Sequence, residues 1–425
     1  MPEQRVIRNY VDRPNSYTIG SYLSSGGYSA LRKALGIAPG EVTDAVKKSG
    51  LRGRGGAGFP AGIKWNFISP DSKKPVYLCC NADESEPGSF KDREILEKDP
   101  HQMIEGIIIA CYAIRSHKAY IYIRGEMPYG AKRIQQAIEE AYEHGYLGKN
   151  ILLSGFDLDM RLYIGAGAYI CGEETGLLES IEGKKGEPRP KPPFPAQVGL
   201  FGCPTIVNNV ETLACVPHII NNGADWFASI GTPRNTGTKI FGLSGHVNKP
   251  GLYELPLGIN LLELIEEYGG GIPEGRKIKA VSPGGSSSAV FSADELDIAM
   301  DFDTVAAAGS MLGTAGVTVM DETVSMIKVA QNLAHFYRDE SCGQCVQCRE
   351  GTWWLEKILR EIDEGKGSIE HLDIILDACS QMRGTTICAL ADGCAMPVES
   401  IVRKFRDEFE EHIKRRPVNF EVQHP

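Results

Sequence analysis

The hydrophobic pattern changes character twice along the chain. Up to about residue 240, bounded apolar runs alternate with amphipathic ones. PVYLCCNA (75–82) and KAYIYIRGE (118–126) are continuous, β-rich runs of the kind that form buried strands. Between them, EILEKDPHQMIEGIIIACYAIRS predicts a long helix. Residues near 28–35 and 41–50 also read as helical, and KRIQQAIEEAYEHGYLG (132–148) reads as an amphipathic helix closed by Gly145. Strand, helix, strand, helix predicts an α/β sheet with right-handed crossovers.

Beyond residue 240 the texture is different. KIFGLSGHVNKPGLYELPLGINLLELIEEYGGG reads as two strands joined by a Lys-Pro-Gly turn, then a short helix and Gly269–Gly271. Another strand, KIKAVSPGG, follows, and the whole predicts a small β-grasp-like module. From about 326 helical patterns dominate, ending in the mixed-charge stretch KFRDEFEEHIKRRP, a solvated helix face. The expected units are therefore 1–240, 241–325 and 326–425, without repeats or a low-complexity linker.

The length of 425 residues agrees with several domains at roughly 100–200 residues each. A chain of this size buries about 75% of its unfolded surface and needs no disulfide staples. A net charge of −10 argues against a general nucleic-acid binder, which needs clustered Lys and Arg. The start, MPEQRVIRNYVDRPNSYTIG, has no apolar signal core, and IEGIIIACYAI (104–114) is too short for a bilayer and contains Glu105. These features lead us to expect a soluble intracellular protein whose twelve cysteines stay reduced. Some of those cysteines behave as small core hydrophobes.

SCGQCVQCREGTWW (341–354) is another matter. Cys342, Cys345 and Cys348 stand two residues apart, a pitch that lets thiolates wrap a compact metal centre. Structural zinc prefers two C-x-x-C pairs or a pair plus histidines. Three cysteines on one turn fit a ferredoxin-type iron–sulfur run better, and that run needs a fourth ligand. Cys379 lies on a helical stripe with Ile369, Leu372 and Leu376 and reads as a buried helix residue. Cys388 follows a Gly-Thr-Thr loop that frees its sulfur from helix packing, and is our choice; Cys394, after another Gly and near Pro397, could also serve.

A one-electron cluster needs a donor. SGLRGRGGAGFPAGIKW (49–65) holds Gly53, Gly55 and Gly58 in a formal G-x-G-x-x-G pattern. The pattern requires a preceding strand, but EVTDAVKKSG looks helical, so the ordinary dinucleotide fingerprint fails its context. The glycine density still lets backbone N–H groups approach an anion, beside Arg52, Arg54 and Lys64; the plainer reading is a flexible surface loop. In GAGAYICGEETGLLESIEG (165–183), Gly172 and its successors resemble a helix N-terminus, which favours anions, although Glu173 and Glu174 also simply suit a first helical turn. NADESEPGSFKDRE (81–94) crowds Asp83, Glu84 and Glu86 at the carboxyl end of a strand, where open α/β sheets bind ligands. Such carboxylates, with Asn81, suit ribityl or ribose hydroxyls, or else form a solvated turn. PTIVNNVETL (204–213) adds the adjacent amides Asn208 and Asn209.

Together, LRGRGGAGFPAGIKW, CNADESEPGSFKDR, GAGAYICGEET, KPPFPA, NNVETLA and ESCGQCVQCREG, in this order over about residues 17–416, resemble the NADH-binding flavoprotein subunit of respiratory complex I (NADH:quinone oxidoreductase). The resemblance implies a Rossmann-like FMN domain, a ubiquitin-like β-grasp domain and a C-terminal helical bundle with a [4Fe–4S] cluster. It implies an FMN site of Gly53, Arg54, Gly55, Lys64, Asn81, Asp83, Glu84, Gly172, Asn208, Asn209 and Thr212. NADH would lie over the flavin, with Phe59, Phe67 and Phe194 on the adenine and Glu86, Tyr169, Glu174 and Lys191 on the rest. The implied cluster ligands are Cys342, Cys345, Cys348 and Cys388. Two positions depart from the family: Val346–Gln347 replace its usual Thr-Pro, and Gly176 replaces its usual Ala.

The implied chemistry is hydride transfer from NADH to FMN and single-electron transfer to the cluster, with no catalytic side chain. The implied partners are a small thioredoxin-like [2Fe–2S] subunit and a large iron–sulfur subunit. The complex would sit at a membrane this chain never enters, on the cytoplasmic side in a bacterium or the matrix side in an organelle. The rivals are the diaphorase subunit of an NAD-linked hydrogenase or formate dehydrogenase, whose fused ferredoxin or thioredoxin-like domains are missing here, and an Rnf-type subunit, whose Cys-Pro ferredoxin motifs are missing too. A non-catalytic redox sensor or scaffold is the rival from another class.

Overall fold

The computed structural model describes residues 4–415. The ends of the expected first and third units, residues 1–3 and 416–425, lie outside the described residues. In the first unit four strands, β1 (Tyr77–Ala82), β2 (Lys118–Ile123), β3 (Asp159–Ile164) and β4 (Thr205–Asn209), pair in the order β3-β2-β1-β4. Every pairing is parallel, with Tyr77 opposite both Lys118 and Thr205. The chain steps outward from β1 through β2 to β3, then returns to add β4 on the other side of β1.

Strand alternation explains how this sheet serves two cores. Leu78, Cys80, Ala82, Ala119, Ile121 and Ile206 join one cluster with the helices Pro100–Ile114, Pro128–Glu143 and Val210–Asn222. Cys79, Tyr122 and Val207 point the other way, into a cluster shared with helix Glu174–Ile181 and the C-terminal helices. With both faces covered, β1 and β2 read as continuous apolar runs, as the sequence suggested, whereas β3, with Asp159 and Arg161, does not.

The long helix expected over 94–116 is two helices, Lys91–Lys98 and Pro100–Ile114. Pro100 lacks an N–H and its ring clashes with a preceding turn, so it starts a helix and cannot continue one. Helix Pro100–Ile114 crosses helix Val210–Asn222 so closely that a Cβ on Gly106 would stand 1.9 Å from the Leu213 carbonyl oxygen.

The second unit holds the hairpin Thr238–Gly245 and Gly251–Pro256, whose first strand begins just before the boundary expected at 240, the short helical segment Leu261–Tyr268, and the strands Ile278–Ser282, Phe291–Ser292 and Gly316–Asp321. Gly316–Asp321 lies at the centre, parallel to Thr238–Gly245 and antiparallel to Ile278–Ser282. Among the described residues the third unit is five helices: Met326–Glu340, Val346–Asp363, Ile369–Met382, Leu390–Lys404 and Arg406–Arg415. Among the described residues no helix is long and apolar enough to cross a membrane.

Gly106→Ala should force the helix crossing apart and cost about 3 kcal/mol, read as a lower urea midpoint. An unchanged midpoint would mean that the crossing yields freely.

Candidate functional site

The carboxyl ends of the neighbouring strands β1 and β4 border a crevice, the end of an open α/β sheet at which ligands bind. A cavity of about 390 Å³ occupies it, within the range of small-ligand sites. The first unit supplies Gly55, Asn81, Asp83, Glu84, Glu86, Tyr169, Gly172 and Asn209 to its wall. The second adds Ser287, Met311 and Thr314, and the third adds Cys388, Leu390, Asp392 and Met396.

Helix Pro39–Lys48, not a strand, leads into the glycine loop, which bears out the rejection of an ordinary dinucleotide fingerprint. The loop closes on itself: Gly53 N donates to Phe59 O at 2.8 Å, and Arg52 bridges Pro60. Arg54 N donates to Thr212 Oγ1 at 2.8 Å and so moors the loop to helix Val210–Asn222. The Arg54 guanidinium is buried, donates to Thr236 O at 2.7 Å and has no partner for Nε or Nη1 among the described residues. Lys64 Nζ donates to Glu174 at 2.8 Å and to Val207 O at 2.9 Å, while Trp65 Nε1 donates to Asn208 Oδ1 at 2.8 Å.

After β1, Asn81 Nδ2 donates to Gly172 O at 2.8 Å and Asn81 Oδ1 accepts from Asp83 N at 3.0 Å. Burial pushes the Asp83 carboxyl up to about 7, against the Ser85 hydroxyl at 3.0 Å and nearby Arg124. Glu84 accepts from Asp92 N and Arg93 N, each at 2.9 Å, and so holds the start of helix Lys91–Lys98. Asn209 caps helix Val210–Asn222 by accepting from Glu211 N at 3.0 Å, and donates to Asp92 at 2.6 Å. Glu173 caps helix Glu174–Ile181 through Thr175 N and Gly176 N. Lys191 pairs with Glu173 at 2.8 Å and Glu174 at 3.2 Å. Burial works to raise the Glu174 carboxyl, but Lys64 and Lys191 outweigh it and hold it low.

Of the aromatics expected at the adenine, Phe59 and Phe67 meet at 5.9 Å between ring centres. Phe194 stands on a separate segment, and all three rings are about half exposed, beyond the cavity wall.

The four expected cysteines converge. Cys345 stands at the N-cap position of helix Val346–Asp363 and Cys348 lies in its first turn, so the positive end of the helix dipole lies beside these sulfurs. Ile387 N donates to Cys345 Sγ at 3.5 Å and brings the Cys388 loop onto the triad. Burial pushes the Cys388 thiol up to about 12, and Cys348 and Cys342 nearby add to the rise. A metal centre reverses this by holding the sulfurs as thiolates. Among the described residues no three His, Cys, Asp or Glu are drawn close enough to grip a single ion. Cys379 and Cys394 are buried inside the bundle, Cys379 beside Leu372, Ile375 and Met382. Val346 and Gln347 are exposed.

Sequence reasoning missed Ser287, Met311, Thr314, Asp392 and Met396, which reach the cavity only through tertiary packing. PGGSSS (283–288) was the one legible signal, as a small-residue turn able to approach a ligand.

The comparisons agree with this layout. Family models match in chain order: "Nuo51 FMN-binding domain" over 46–218, "SLBB domain" over 240–291 and "NADH-ubiquinone oxidoreductase-F iron-sulfur binding region" over 328–412. The chain is 54% identical to the NADH-quinone oxidoreductase F subunit 2 of Rhizobium meliloti (strain 1021), over 99% of this chain and 100% of the relative. It is 51% identical to the NADH-quinone oxidoreductase F subunit of Streptomyces coelicolor, over 98% of this chain and 92% of that one. Among solved structures it is similar to an NAD+-reducing [NiFe]-hydrogenase in the H2-reduced state, with a TM-score of 0.85 and 33% identity, over 98% of this chain and 68% of that one. It thus has the parts of a flavin and iron–sulfur oxidoreductase component: an FMN-binding domain, an SLBB domain and a helical [4Fe–4S] region. The chain belongs to the family of NADH-quinone oxidoreductase F subunits.

The Asp83 carboxyl keeps its proton to about pH 7 when folded and to only about pH 4 when unfolded. The stability it contributes is therefore complete below about pH 4 and lost as pH rises through about 7. Cofactor-free Asp83→Asn should melt above the parent at about pH 8 and close to it at about pH 4.5. The same difference at both pH values would remove Asp83 as the buried acid.

Proposed function

We propose that this chain is the electron-input subunit of an NADH:quinone oxidoreductase. It oxidises NADH and passes single electrons to partner iron–sulfur subunits and on toward quinone. One observation carries the reading: Cys388, from the cluster loop, lines the same cavity as Asn81, Asp83 and Asn209 at the carboxyl ends of β1 and β4. A two-electron donor and a one-electron acceptor can therefore be served from one cavity. Bound FMN supplies the exchange between hydride and single electrons, and no catalytic side chain is required.

In this reading the loop at Gly53, Arg54 and Gly55, with Lys64, Asn81, Asp83, Glu84, Gly172, Asn208, Asn209 and Thr212, holds FMN. Gly55, Asn81, Asp83 and Gly172 face the cavity directly. Arg54, Asn208 and Thr212 act from behind, through the loop mooring and the Trp65 bond. Phe59, Phe67 and Phe194 offer half-exposed faces to an adenine, with Glu86, Tyr169, Glu174 and Lys191 on the rest of the dinucleotide. Cys342, Cys345, Cys348 and Cys388 hold the cluster. We divide the chain near residues 240 and 325. The middle unit is read as a β-grasp, because a hairpin, a helical segment and a central strand parallel to the first follow that order. A small [2Fe–2S] subunit and a large iron–sulfur subunit are the partners, and membrane attachment comes through them. The likeness to an NAD+-reducing hydrogenase supports a second reading, in which the same input unit serves a hydrogenase partner.

The test is an anaerobic NADH titration with the small partner subunit, after FMN, iron and sulfide are supplied. Flavin bleaching together with a [4Fe–4S] EPR signal is expected. Silence of both, with the cofactors bound, would leave a sensor or scaffold. Cys388→Ala should lose the cluster spectrum and retain flavin, whereas Cys394→Ala should keep both; the reverse result would reassign the fourth ligand. Glu174→Gln removes a negative charge that repels the extra phosphate of NADPH, so NADPH turnover should rise. No gain would remove Glu174 from the discrimination.

A further inference from the structure

Glu86 reaches the cavity from the loop after β1, yet much of what fixes it comes from the other units. Its Oε1 accepts from Ser287 N at 2.7 Å and from the Ser286 hydroxyl at 2.9 Å, and its Oε2 accepts from the Tyr169 hydroxyl at 2.6 Å. The turn is pressed onto the side chain: a Cβ on Gly285, whose φ is +102°, would stand 2.6 Å from Glu86 Cγ. A carboxylate has about four acceptor positions. Three are taken, so one direction remains for a ligand.

Ser286 gives its single hydroxyl hydrogen to Glu86. In its 2.9 Å contact with the Tyr337 hydroxyl it is therefore the acceptor, and Tyr337 donates. Tyr337 is fully buried on helix Met326–Glu340, the helix that leads to Cys342. At the end of that helix Glu340 accepts from Tyr169 N at 3.0 Å, and the Tyr169 ring packs edge-on against Phe336 and Tyr337. Both arms holding Glu86 are thus braced by one helix of the iron–sulfur unit.

We propose that Tyr337 is a positioning residue for dinucleotide recognition: acting through Ser286, it fixes the Glu86 carboxylate in the direction that meets NADH. The proposal rests on the reading that Glu86 contacts the dinucleotide. Tyr337 polarises the Ser286 hydroxyl, which strengthens its bond to Glu86. Without that donor Ser286 is free to turn, Glu86 swings, and its repulsion of an added phosphate weakens.

The experiment uses protein loaded with FMN and cluster. NAD+ affinity is measured by equilibrium titration for the parent, Tyr337→Phe, Ser286→Ala, Glu86→Gln and the double variant Tyr337→Phe with Glu86→Gln. KM and kcat for NADH and NADPH are measured alongside, with the cluster EPR as a check on the helix. Tyr337→Phe should weaken NAD+ about three- to tenfold, raise KM rather than lower kcat, narrow the preference for NADH and leave the cluster signal intact. Ser286→Ala, which leaves the Tyr337 ring in place, should shift affinity the same way. In the Glu86→Gln background the Tyr337 change should add nothing. Equal weakening with and without Glu86 would mean that Tyr337 acts by packing alone, and unchanged affinity in both single variants would likewise overturn the proposal. If Glu86→Gln itself leaves NAD+ binding intact, the reading of Glu86 as a dinucleotide contact fails first.

Discussion

Glu211 sits fully buried at the start of helix Val210–Asn222 between two ammonium groups, Lys239 Nζ at 2.6 Å and Lys91 Nζ at 2.9 Å. Burial works to raise this carboxyl, and the two lysines more than reverse it. Lys239 belongs to the first strand of the second unit, and Lys91 also pairs with Asp92, on the cavity wall, at 2.7 Å. Removing one partner of a buried ion set strands the others at a cost of several kcal/mol. The carboxyl ends of β1 and β4 and the edge of the next unit are therefore fixed relative to one another. The cavity above them inherits that register.

From this floor upward each unit has a different share. The parallel sheet supplies amides and carboxylates that face the cavity and cap helices at the same time, as Asn209 and Glu84 do. The middle unit contributes Met311, Thr314 and the turn Gly284–Ser288, and that turn fixes a carboxylate of the first unit. The helical unit brings the thiols. Its Cys388 reaches the cavity because a loop, and not the preceding helix, carries it.

β1, β2, the hairpin of the second unit and several helices were legible because their signals are local: bounded apolar runs, one-sided helices, and glycines that end them; β3, β4 and the central strand Gly316–Asp321 were not expected from the sequence. The split at Pro100 was legible in principle, since a proline in a helical pattern marks a start. The converging motifs at the ends of β1 and β4, and the cysteine triad, were legible because ligand chemistry restricts residue types at short spacing. Cys388 was separable from Cys379 by helical phase. The Glu211–Lys239–Lys91 set left no trace, because a lysine bound for the interior looks like any surface lysine until partners 28 and 120 residues away, by the numbering, are folded against it. Ser287, Met311 and Thr314 were invisible for the same reason. The Arg54 guanidinium, which the resemblance places at the flavin, is buried and donates to Thr236 O, a partner that no local pattern in the sequence announces.

The cavity also has no single owner. Its last wall runs to Met396, in the fourth helix of the third unit. During synthesis the sheet, the glycine loop and the first carboxylates are complete long before that wall exists. A half-made chain thus presents an open bowl that water reaches freely. Since shielding a reactive cofactor from side reactions depends on closing its site, the helices of the third unit act as a stopper fitted last, and a fragment ending before them is no reduced version of the enzyme.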